Sequence, residues 1–235
     1  MSFRRLFTFQ AIAMAKYEVH YFPVHGLGEL PRLMLEYAKA DYENVFIEDW
    51  RKPGATQWLN EIKDKTPLGH IPVLVKKENG EEFVLAESGA INRYLARDLN
   101  LMGNPSDAKE TAYIDMVNDA WHSFWPTYLN FHRVARNPGT NSHVDTFFNN
   151  VLPKHLPFLE RLLDNKGSYL GQQRITIADL HAYVWMHRII NICRRNDIFE
   201  KFAPNHLKMY ERLAEEPQIK EYYKPGGKFE SIFSY

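Results

Sequence analysis

The chain has one cysteine, Cys193, so it can form neither an internal disulfide nor a cysteine-based metal cluster, a usage that fits a reducing compartment. It also has no excess of charge. Lys plus Arg and Asp plus Glu number 29 each, which removes the basic field that nucleic acid or an anionic membrane surface would require. No apolar run reaches the roughly 18 residues of a membrane span. The ten histidines show no His-Glu-x-x-His spacing, so a zinc-hydrolase reading has no support and no metal is expected. Internal repeats and low-complexity segments are absent as well.

What is present is an ordinary globular composition, 45% apolar and 25% charged, which excludes a disordered chain. Residues 1 to 16 carry Arg4, Arg5 and Lys16 but no acid, the composition of a targeting segment. Gln10 interrupts the apolar stretch and serine is scarce, so residues 1–15 are read as an N-terminal extension, with organellar import or secretion as the alternative.

From Lys16 onward two textures follow one another. Lys16 to Phe22 alternates, with Tyr17, Val19 and Tyr21 on one face, and predicts a first strand. A Gly-containing loop leads to a helix over 29–39, where Leu30, Leu33, Met34 and Tyr37 recur at helical spacing. A second strand is expected over 42–47, then an irregular or weakly helical stretch to Lys65 that contains Trp50, Trp58 and Ile62. Ile71-Pro72 opens the next apolar run. Proline there belongs at the first strand position, and an X-Pro bond is where a cis peptide can occur. Val73-Leu74-Val75 and Phe83-Val84-Leu85 flank Asn79-Gly80, a strong hairpin signal. Ser88 then precedes Ala90, Ile91, Tyr94 and Leu95, placing it at a helix N-terminus, where free amide N–H groups bind anions. The order β-α-β-α-β-β-α implies a mixed four-stranded sheet with helices packed on it.

Breakers over 99–107 read as a linker, and 108–235 reads as all helix. A long run over 107–136 includes Tyr113, Val117, Phe124 and Tyr128. Pro153 and Pro157 predict a kink in a helix over 144–163. Thr176 and Asp179 form a capping box with Ile175 and Leu180 as its staple, and the helix that follows extends to about Arg195. Helical segments near 199–213 and 218–222 precede an aromatic tail with Phe229, Phe233 and Tyr235.

Four stretches in this order carry a resemblance: Tyr17-Glu18-Val19-His20-Tyr21-Phe22 with Gly26 following, Pro67-Leu68-Gly69-His70-Ile71-Pro72-Val73-Leu74, Glu87-Ser88-Gly89-Ala90-Ile91-Asn92-Arg93-Tyr94-Leu95, and the capping box at Thr176 to Leu180. The chain resembles the cytosolic glutathione transferases of the tyrosine type, the sigma class above all. The resemblance implies a thioredoxin-like domain over 16–98, an all-helical domain over 108–235, a cytoplasmic homodimer, and glutathione as co-substrate. It also implies an enzyme, a glutathione S-transferase that turns the glutathione thiol into a thiolate for attack on a hydrophobic electrophile. By family position Tyr21 is the catalytic donor. Phe22, Trp58, Lys63, His70, Ile71, Pro72, Glu87 and Ser88 are the expected glutathione-binding residues, and Phe22, Leu27, Trp125 and Tyr128 the expected electrophile pocket.

A free thiol near pKa ~8.5 is mostly protonated at neutral pH, and one hydrogen bond to its anion, about 1.5–3 kcal/mol, lowers that value by roughly one to two pH units. Two departures from the family pattern stand out. Leu27 replaces a second arginine and its side chain cannot donate, leaving His25 as a partial substitute. On the long helix, His122 and Ser123 occupy the positions of a cross-subunit acid, with Asp119 one turn earlier as a stand-in. Two alternatives stay open, a glutathione-dependent isomerase of the prostaglandin D synthase kind and a non-catalytic binder of glutathione or hydrophobic ligands. A thioredoxin reading fails because Phe22 to Leu27 contains no cysteine.

Overall fold

The computed structural model describes residues 15–48, 56–129, 146–163, 168–169 and 174–227. The expectations that rest on Trp50, on the breaker at 137–141 and on the tail with Phe229, Phe233 and Tyr235 lie outside them, as do residues 1–14.

The N-terminal part is a four-stranded mixed sheet of β1 (Lys16–Tyr21), β2 (Asp41–Phe46), β3 (Val73–Glu78) and β4 (Glu81–Ala86), in the order β2-β1-β3-β4. β1 pairs parallel with β2 and antiparallel with β3. The β3–β4 hairpin turns at Asn79 and Gly80, both at positive φ, as a two-residue turn of this composition demands. Helices α1 (Glu29–Tyr37) and α2 (Ser88–Asp98) cover the face that carries Tyr17, Val19 and Leu74. The other face holds a smaller apolar cluster of Val73, Val75 and Ala86. It is bridged by one-turn segments at Trp58–Ile62 and Lys63–Lys65, the weakly helical stretch that the sequence suggests.

The remainder is helical: α3 (Ala108–His122), α4 (Leu152–Glu160), α5 (Ile177–His187), α6 (Asp197–Phe202), α7 (Pro204–Ala214) and α8 (Pro217–Tyr223). Asp107 caps α3 by accepting from the N–H groups of Lys109 and Glu110. The single long helix expected over 107–136 is corrected here. Helical backbone stops at His122, turns at 123–124 and resumes over 125–129. Pro126 supplies the reason, since it has no N–H to continue the ladder and its ring crowds the preceding turn. A wide turn at Phe147–Val151 leads directly into α4, which has Pro153 in its first turn and Pro157 inside, and helical backbone runs on through both prolines to Glu160. The helix expected near 199–213 is split at Ala203 by Pro204.

At the start of α5 the Asp179 carboxylate accepts from the Thr176 backbone N–H at 2.9 Å and from its hydroxyl at 2.7 Å. Ile175 and Leu180 are both buried, as the staple requires. α5 sits at the centre, packing on α1 and α3, and its residues from Ile177 to Met186 are all buried. One further bond ties the segment after α2 to this helix: the Ile177 N–H donates to the Leu101 carbonyl at 2.9 Å.

Candidate active site

Tyr21 ends β1 with its ring buried. The chain then loops through a short turn at Gly26–Gly28 that folds back over that ring. A Cβ at Gly26 would lie 2.7 Å from the Tyr21 hydroxyl oxygen, and one at Gly28 would lie 2.8 Å from its Cδ1, so glycine is what lets the backbone approach this closely. The approach places the Leu27 backbone N–H at 3.2 Å from the Tyr21 Oη, to which it donates. A phenol oxygen has two lone pairs and one proton, so accepting from Leu27 leaves it able to donate elsewhere. The leucine side chain is mute, but the main chain at that position is a donor.

Arg32, fully buried on α1, fixes the rest of the loop. It donates from Nη1 to the Val24 carbonyl at 2.8 Å, from Nη2 to the Phe22 carbonyl at 3.2 Å, and from Nε to Asn44 Oδ1 at 2.8 Å. Its guanidinium also lies 5.7 Å from the centre of the Tyr21 ring. A buried cation satisfied in this way holds Phe22 to Val24 in place and sets a positive field beside the phenol. Phe22 packs at 5.6 Å from Tyr21 and edge-on at 6.3 Å from Trp58, which joins the loop to the one-turn segment.

The second half lies beyond β3. The Ile71–Pro72 peptide is cis, and Pro72 stands just before Val73 instead of opening the strand as expected. Ser88 is the first residue of α2 and is buried, while the cap position is Glu87, with φ of 71°. A positive φ at a glutamate costs about 1–3 kcal/mol and is held only where the surroundings impose it. Glu87 makes no side-chain cap bond to α2, and the first amides of a helix are donors without an intrahelical partner, the kind of site that receives a carboxylate. Glu87 Oε1 lies 3.3 Å from His70 Nε2, with both side chains about half exposed. Lys63 is exposed, and its Cε would come within 3.9 Å of a Cβ on Gly69, beside the loop that carries His70.

Residues 17–97 match the glutathione S-transferase N-terminal domain and residues 121–226 the glutathione S-transferase C-terminal domain. Glutathione S-transferase 1 of Ascaris suum is 31% identical over 89% of this chain and 96% of its own. The chain belongs to the glutathione S-transferase family. A solved glutathione S-transferase of Caenorhabditis elegans superimposes with a TM-score of 0.72 at 30% identity, covering 90% of this chain and all of that one. The prostaglandin synthase D of Nilaparvata lugens gives 0.70 at 27% identity, covering 89% and 99%.

With the family in hand, the expected pocket residues divide into two sets. Phe22 and Leu27 are partly exposed at the loop. Trp125 and Tyr128 are 7% and 2% exposed and belong to an aromatic core with Phe124, Phe147 and Trp185. On a helix, aromatics at core spacing and at pocket spacing look alike, and in the described residues these two side chains pack into the core. Arg188, just after α5, lies over both rings, at 4.6 Å from Trp125 and 5.4 Å from Tyr128.

The long-helix positions are also engaged. Ser123 Oγ donates to the Ala120 carbonyl at 2.7 Å, Asp119 is ion-paired with Arg93, and His122 is half-buried, with burial pulling its pKa down. Cys193 packs against the core, and burial raises its pKa. A cavity of about 370 Å³ lined by His20, Val45, Ile62 and Val75 lies on the sheet face opposite Tyr21, away from this chemistry.

Sequence reasoning missed Arg32, Glu29 and Arg188. The available signal was the pair of charged residues interleaved with Leu30, Leu33 and Met34 on the apolar side of α1, where a solvated charge has no place.

Proposed function

We propose that this chain binds glutathione, converts its thiol to the thiolate through Tyr21, and transfers it to a small hydrophobic electrophile. The observation that carries the reading is the Leu27 N–H bond to the Tyr21 hydroxyl, which orients the phenol oxygen and supplies the backbone donor that the leucine side chain lacks. In this reading the γ-glutamyl carboxylate sits on the first amides of α2 beside Ser88, and its ammonium faces Glu87. The backbone of Ile71, presented by Pro72, pairs with the cysteinyl peptide. His70, Trp58 and Lys63 close the glycyl end. Phe22 and Leu27 form the exposed apolar wall for the electrophile, and Trp125 and Tyr128 shape it from within the helical core. We further propose a homodimer acting in the cytoplasm. Sedimentation that gives the mass of a single chain at micromolar concentration would refute the dimer.

Tyr21→Phe tests the mechanism. Losing one bond to a charged sulfur, about 2 kcal/mol, lowers the conjugation rate with a chlorodinitrobenzene at pH 6.5 by roughly thirtyfold while glutathione still binds. A rate within a factor of two of the wild type would refute the assignment. The isomerase reading is favoured by one observation, the likeness to the prostaglandin synthase D structure. An isomerase regenerates its glutathione in each cycle, so turnover of a substrate without net loss of glutathione would select it.

A further inference from the structure

We infer that Glu29 and Arg188 are a positioning pair that holds the donor turn of the thiol site from the far end of the chain; the inference rests on Tyr21 as the thiol activator. Glu29 is the residue after the Gly26–Gly28 turn and is fully buried. Its carboxylate is bonded by Arg188 on one oxygen and by the Tyr223 hydroxyl at 2.7 Å on the other, residues 159 and 194 positions away. His25, at the head of the same turn, lies 3.3 Å from the Tyr223-bonded oxygen of Glu29 and stacks on the Tyr223 ring at 6.2 Å. Both flanks of the turn are thus tied to the helical layer.

The tie matters because the turn itself is weakly determined. Two of its three residues are glycines, which have the widest conformational freedom, and the third is Leu27, whose N–H must meet the Tyr21 oxygen. Fixing the flanks is the economical way to fix the donor. The charged and titratable groups facing Glu29 are His25 on the turn, Arg32 on α1, Tyr183 and His187 on α5 with Arg188 just after it, and Tyr222 and Tyr223 on α8. Arg188 in addition lies over the Trp125 and Trp185 rings, at 4.6 and 5.1 Å, so one guanidinium links the aromatic core to the thiol side. A solely structural ion pair would affect stability and leave the thiol chemistry alone. A positioning pair changes the thiol chemistry in folded protein.

The experiment replaces both partners, Glu29→Gln with Arg188→Met, so that no lone charge is left buried. Thiolate absorbance of bound glutathione is titrated against pH in the full-length protein, alongside glutathione affinity and kcat/KM. The expected result is a folded protein with glutathione affinity within twofold, a bound-thiol pKa about one unit higher, and kcat/KM at pH 6.5 about tenfold lower, recovering at high pH. An unchanged thiol titration in folded protein overturns the inference. If the double variant does not fold, Tyr223→Phe, which removes one hydrogen bond, is read instead. There a threefold drop at pH 6.5 supports the pair, and an unchanged titration overturns it. Failure of the underlying reading is distinguishable, because wild-type protein would then show no thiolate for Tyr21→Phe to remove.

Discussion

Gly26→Ala separates the two demands that the turn makes on its sequence. Gly26 has φ of 45°, where an alanine pays roughly 1–2 kcal/mol in backbone sterics. The new methyl would also stand 2.7 Å from both Oη and Cε1 of Tyr21, against 3.4 Å for ordinary contact. The phenol must therefore retreat by about 0.7 Å, or the turn must lift away from it. Tyr21 has little room to move, since Phe22 packs beside its ring and Arg32 lies over it. Either response lengthens the Leu27 bond beyond its present 3.2 Å.

A misplacement on the order of 1 Å at a reacting group costs up to about 100-fold, and the backbone term lowers the melting temperature by roughly 2–8 °C. We therefore expect kcat/KM for an aromatic electrophile to fall roughly 10- to 100-fold. Glutathione affinity should change less than threefold, because the α2 end of the site is untouched. The assay is steady-state conjugation with a glutathione titration by calorimetry and a melting curve. Full activity with a lowered melting temperature would show that the turn is structural only, and the account of Leu27 as the orienting donor would fall with it.

Tyr128→Ala is expected to lower stability by about 3–5 kcal/mol, the cost of emptying a buried aromatic site, seen as a lower denaturation midpoint. A folded, equally stable variant with a raised electrophile KM would restore Tyr128 to the pocket wall. Acidification is expected to destabilise the fold below about pH 6.5. Burial first, opposed by the Glu29 carboxylate and reinforced by the His25 and Arg188 charges, pulls His187 down to about 4, so between these values the unfolded chain takes up a proton that the folded chain refuses. Stability contributed by the neutral ring is full above pH 6.5 and lost progressively toward pH 4, and the melting temperature of His187→Gln should fall less steeply across that window.

Local chemistry made much of this molecule readable. Asn79-Gly80 announces its hairpin because few residues accept positive φ, and Thr176 with Asp179 announces a helix start because orphan amides need those side chains. Tyr21, Pro72 and Ser88 could be placed at a strand end, a strand entry and a helix entry from their neighbours alone. The break before Trp125 was also written in the sequence, at Pro126, but the hydrophobic period over 107–136 masked it. What local pattern could not carry was pairing across the chain. Glu29 stands out on the apolar side of its helix, but nothing in the sequence names Arg188 as its partner until the fold brings them together, and Trp125 and Tyr128 keep the same spacing whether they face a core or a pocket.

The main apolar core runs without interruption from Tyr17 and Val19 on the sheet, through Leu33 and Ile91, to Trp185, Leu213 and Tyr222 near the other end of the chain. A sheet half and a helical half are therefore two folds sharing one interior. Chimeras that exchange either half with a relative must carry the matching surfaces of α1 and α5, including the partners of Glu29, or leave a carboxylate stranded in an apolar seam. For the same reason heat or denaturant should dismantle both halves in one transition, and a fragment ending near Asp98 should behave as a sticky, incompletely folded sheet and not as a small glutathione-binding module.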